Sequence, residues 1–74
     1  MEHVKYIEEV LPQTSSEDVM KLELLAMETA RYYAIHKATM DSRSKINLIS
    51  LIYFIEGKLS VLDKNYSFDK ENLI

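Results

Sequence analysis

The sequence predicts an all-α fold: a small helical hairpin of two long antiparallel helices, preceded by a short N-terminal helix, with two chains dimerising into a helical bundle. Three observations predict it. One glycine and one proline in 74 residues leave too little turn chemistry for a strand-rich fold. Four alanines spaced four apart, Ala26, Ala30, Ala34 and Ala38, make a nearly flat ridge on a helix, where a second helix can come close. Finally, the chain has no cysteine, so neither a disulfide nor a thiolate zinc site can staple a domain near the lower size limit of a single core. Oligomerisation is the remaining common remedy.

Each element follows from local pattern. Residues 1–11 carry Val4, Ile7, Val10 and Leu11 at helical spacing against Glu2, Lys5, Glu8 and Glu9, and Pro12 closes this short first helix. Thr14-Ser15-Ser16-Glu17 fits a capping box, and acidic Glu17 and Asp18 suit the positive end of a helix dipole. A second helix is therefore expected over 15–39. Its alanine ridge is flanked by Val19, Leu22 and Tyr33 on one shoulder and by Met20, Leu24 and Met27 on the other. Leu25, Tyr32 and Ile35 fall on the opposite, charged side, where the first helix, the C-terminal tail or a second molecule must cover them.

Thr39-Met40-Asp41-Ser42-Arg43-Ser44 concentrates poor helix formers with N-cap side chains, so the chain should break there, with Asp41 or Ser42 capping a third helix over 42–62. Leu48, Ile52, Ile55, Leu59 and Leu62 form its heptad-like seam. Gly57 interrupts that helix, and Ser50, Gly57 and Ser60 lie along one side as the expected facing surface of the alanine ridge. Asp63-Lys64-Asn65 reads as a C-terminus, followed by a tail over 66–74 with Tyr66, Phe68, Leu73 and Ile74. No repeat, linker or low-complexity stretch divides the chain, which reads as a single helical domain over 1–74.

The chemistry is sparse. No thiol nucleophile is available, and His3 and His36 sit in different helices without metal-ligand spacing. No catalytic, cofactor-binding or metal-binding residue is expected, and no cofactor. Asp41-Ser42 lacks the Gly-x-Asp-Ser-Leu setting of acyl carrier proteins, since its neighbours are Thr39, Met40 and Arg43, and it reads as a helix cap. A net charge of −3 is the wrong sign for a phosphate binder, and the helix after the turn is too apolar to lie in a DNA groove. The apolar runs are too short to span a bilayer. The start, Met1-Glu2-His3-Val4-Lys5, has neither the basic residues nor the apolar run of a signal peptide, so a cytoplasmic protein is expected.

The adjacent pairs Tyr32-Tyr33 and Tyr53-Phe54 cannot both face one core, because neighbours on a helix point about 100° apart. The sequence therefore predicts a non-enzymatic interaction module, a regulator or inhibitor that binds an unidentified protein partner, or itself, through an acidic, aromatic-studded helical surface. Leu25, Glu28, Tyr32, Ile35 and Tyr53 form the expected partner or dimer interface. Two alternatives are a ligand-binding bundle or accessory enzyme subunit with its pocket between Met20, Met27, Tyr33 and Phe54, and a DNA-binding regulator. The Lys/Ile/Asn/Tyr-rich composition fits a small accessory protein of an AT-rich bacterial or phage genome.

Overall fold

In the computed structural model, which describes residues 2–64, the chain is all-α. Its helices are α1 (Glu2–Val10), α2 (Val19–His36) and α3 (Ser42–Leu62), joined by 3₁₀ turns at Leu11–Ser15 and Lys37–Thr39. The expected tail over 66–74 lies outside the described residues, as does the Asn65 cap.

The second helix starts four residues later than the capping-box pattern suggests. Pro12 opens a 3₁₀ turn instead of merely ending α1. Within that turn the hydroxyls point backwards: Thr14 Oγ1 donates to the Leu11 carbonyl at 2.7 Å and Ser15 Oγ to the Pro12 carbonyl at 2.9 Å. Thr14 is thereby engaged and buried, and Asp18 takes the N-cap, its Oδ1 accepting from the N–H groups of Met20 at 3.0 Å and Lys21 at 3.4 Å. At the other break Asp41 is the cap. It is extended, and its carboxylate accepts from Ser44 N–H at 3.2 Å. Those bonds hold the Asp41 carboxyl below its ordinary pKa, the Ser44 hydroxyl contributing most and the Ser44 N–H next.

Two long-range hydrogen bonds set the topology. Lys58 Nζ donates to the Thr14 carbonyl at 2.8 Å, bringing the far end of α3 to the entry of α2, so these helices run antiparallel. His3, at the start of α1, is bonded to Tyr32 near the end of α2, so α1 also runs against α2. The core between them is one cluster. Leu22, Leu25, Ala26 and Tyr33 of α2 meet Leu48, Leu51, Ile52, Ile55 and Leu59 of α3, with Val10 from α1 and Met40 from the turn closing the two ends. Leu48, Ile52, Ile55 and Leu59 of the expected seam are fully buried, whereas Leu62, past the end of the α2 contact, is exposed.

The alanine ridge behaves differently from its expectation. Ala26 is buried, Ala30 half-buried, and Ala34 and Ala38 exposed. A row of i+4 steps on a 3.6-residue helix turns about 40° per step, so three steps carry it about 120°, from core to solvent. Its expected counterpart is also elsewhere: Ser50, Gly57 and Ser60 are exposed, and a Cβ added at Gly57 would meet nothing within 4 Å. Large aliphatic residues, not small ones, make the α2–α3 contact.

The Cα trace measures 34 × 26 × 15 Å. In so thin a slab each long helix turns one side to the core and the other to solvent.

Candidate functional site

The outer sides of the two long helices carry the most unusual feature of the surface. Met20, Leu24, Met27 and Ile35 on α2, and Ile46, Phe54 and Val61 on α3, are 57–80% exposed. On α2 they recur at steps of four, three and eight, and on α3 at steps of eight and seven, so each set forms a stripe along one side of its helix. Arg31 and Ala34, both exposed, continue the α2 stripe toward its C-terminal end, and exposed Ala38 follows in the 3₁₀ turn. Ser50 and Gly57 fill the gaps in the α3 stripe. Single exposed apolar side chains are ordinary; aligned rows of them mark places where another surface fits.

Of the residues expected at an interface, only Glu28 and Ile35 are exposed. Leu25 is 6% exposed and belongs to the core, and Tyr32 and Tyr53 are half-buried against it. For Tyr32 the first helix is the cover that the sequence left undecided. Tyr6 of α1 lies flat on Tyr32, with ring centroids 3.7 Å apart and planes 3° from parallel. Burial raises the Tyr6 phenol above its ordinary pKa; its hydrogen bond with the Thr29 side chain works against this, and the charges of Glu28 and Glu9 add to it. Thr29, itself fully buried, donates to the Leu25 carbonyl at 2.6 Å.

The histidines, which the sequence places in separate helices, meet here. His3 Nδ1 and the Tyr32 hydroxyl are 2.8 Å apart in a hydrogen bond whose direction follows the imidazole tautomer. His36 lies against the Tyr32 ring at 4.2 Å between centroids and 5.6 Å from His3. A signal was present in the spacing: His3 and Tyr6 are three apart on α1, Tyr32 and His36 four apart on α2, so each pair shares a helix face. Only the antiparallel docking of α1 on α2 brings the faces together. The two imidazoles and two phenols form a cluster of ring contacts, with the His3–Tyr32 hydrogen bond within it, that joins α1 to α2.

A pocket between Met20, Met27, Tyr33 and Phe54 does not form. Tyr33 points into the core while Met20, Met27 and Phe54 point outward from two different helices. Hollows among the described residues lie elsewhere: a groove of about 440 Å³ lined by Gln13, Ser16, Lys21, Leu24, Leu25 and Glu28, and a cleft of about 360 Å³ beside the stack, lined by Lys5, Tyr6, Glu9, Tyr32 and His36. Among the described residues no three His, Asp or Glu side chains are grouped to hold a metal ion, and no helix is long and apolar enough to cross a membrane.

Comparison with protein-family models, with curated proteins and with solved structures returns no match for this chain. Its functional reading therefore rests on its own surfaces.

Proposed function

We propose that this chain is a non-enzymatic protein-interaction module, a small regulator or inhibitor that receives a helix of another protein on the outer side of α3. The single observation that carries the reading is the stripe Ile46, Phe54 and Val61, exposed in one row with Gly57 open between them. Glycine inside a helix costs roughly 1 kcal/mol relative to alanine. Among the described residues nothing compensates that cost, because none of their atoms lies within 4 Å of where the missing Cβ would be. A partner backbone crossing at Gly57 and Ser50, with Phe54 as the aromatic anchor, would use it.

The charges favour a foreign partner over a second copy at this face. Arg43 stands at the start of the stripe and Lys64 just past its end, both exposed. An antiparallel self-pairing of α3 would set these cations against each other, whereas a helix with acidic ends would meet both.

The test is photo-crosslinking in the source cell, with a benzophenone amino acid at Phe54 and, as control, at exposed Glu8 on α1. The expected result is a discrete adduct from position 54 alone that disappears when Gly57→Leu is added, with the helical circular dichroism spectrum unchanged. Equal crosslinking from both positions, or none, would count against a partner on α3.

A further inference from the structure

We propose that the outer side of α2 is a self-association surface, on which a second copy of this chain packs antiparallel about a two-fold axis near the middle of the helix. This surface is separate from the one on α3. The exposed side chains are distributed unevenly along α2. Three of the four large exposed apolar residues, Met20, Leu24 and Met27, lie in the N-terminal half; Ile35 shares the C-terminal half with the exposed Ala34, and the exposed Ala38 follows in the 3₁₀ turn. A surface that is bulkier at one end than at the other fits a reversed copy of itself: Met20 falls level with Ala38 of the second copy, and Met27 enters the gap between its Ala30 and Ala34.

A two-fold axis perpendicular to antiparallel helices also brings like flanks together, as any isologous contact must. On the flank that carries Leu24, Glu28, Arg31 and Ile35, this register sets Leu24 against Ile35 of the second copy. It also sets Glu28 against Arg31 of the second copy, and Arg31 against its Glu28. The result is an apolar seam with two reciprocal ion pairs, and both members of each pair are exposed in the single chain. A parallel, in-register pairing fails on the same residues, because it opposes Arg31 to Arg31 and Met27 to Met27. Covering the exposed area of the four apolar side chains in both copies removes roughly 1,000 Å² from solvent, at the lower bound for a specific interface. The expected dimer is accordingly a dissociable one.

Two measurements on the 74-residue chain test this. In sedimentation equilibrium, the unaltered chain should dimerise, Arg31→Glu should weaken the dimer at least tenfold by opposing acids at both pairs, and Glu28→Arg combined with Arg31→Glu should restore it. For the second, Leu24→Cys and Ile35→Cys are introduced together into a chain with no thiol of its own. These positions are about 16 Å apart along one helix, beyond the reach of an internal disulfide. Oxidation should then give a covalent dimer joined from residue 24 to residue 35. A chain that stays monomeric at millimolar concentration overturns the proposal. So does a dimer that is indifferent to Arg31→Glu, or one crosslinked only from 24 to 24.

Discussion

Leucine substitution along the alanine ridge should give opposite answers at two positions eight residues apart. Ala26 is fully buried among Leu22, Tyr33 and the α3 seam. Ala26→Leu forces three more carbon atoms into a filled interior, at a cost of about 1–3 kcal/mol. Ala34, two helical turns on, is exposed. There leucine and alanine have nearly equal helix propensity, and the change should stay within about 0.5 kcal/mol. For a chain of this size the urea dependence is about 1 kcal/mol per molar, so Ala26→Leu should lower the unfolding midpoint by roughly 1–3 M while Ala34→Leu leaves it within about half a molar. Both belong in an Arg31→Glu background, so that dimer dissociation adds nothing to the midpoint. Equal losses at 26 and 34 would mean that the ridge lies flat against α3 throughout, and the assignment of the outer side of α2 would fall with it.

Gly57→Ala should raise stability by roughly 0.5–1 kcal/mol in urea unfolding, since its Cβ meets nothing and its backbone is not in the left-handed region; destabilisation would show a packing role within the chain. Lys58→Met keeps the aliphatic stem but removes the 2.8 Å bond to the Thr14 carbonyl. It should cost about 1–3 kcal/mol in thermal unfolding, as expected for a charge-assisted bond at a half-buried site. The Asp41 cap gives a pH dependence of definite sign. Its folded pKa is lowered from 3.8, so the stability it contributes is complete above that value and is lost as the pH falls through the lower, folded-state value. Asp41→Asn should flatten the acid limb of the stability curve, and an unchanged slope below pH 4 would refute the cap's role.

Much of the architecture is legible from local rules. The Gly- and Pro-poor composition excludes a strand-rich fold, the cluster at 39–44 marks the break that Asp41 caps, and the regular recurrence of Leu48, Ile52, Ile55 and Leu59 marks the side of α3 that is buried. These are properties of neighbouring residues and of helix periodicity, so they need no knowledge of the rest of the chain. The start of α2 is less legible, because Thr14 and Asp18 are both good caps. The choice between them depends on the 3₁₀ turn after Pro12 and on Lys58, forty-four residues away, holding the Thr14 carbonyl.

Which of several apolar sides faces inward is a tertiary decision. The second helix is apolar on more sides than one, so its pattern fits either orientation. The docking of α1, through Tyr6 on Tyr32 and His3 on the Tyr32 hydroxyl, half-buries Tyr32, while Leu25 joins the core and Met20, Leu24, Met27 and Ile35 stay outside. The sequence by itself determines that helices form and where α2 and α3 part, because those energies are local. The sides left open for partners are set only when three helices compete for one thin core, because burial is a property of the whole packing.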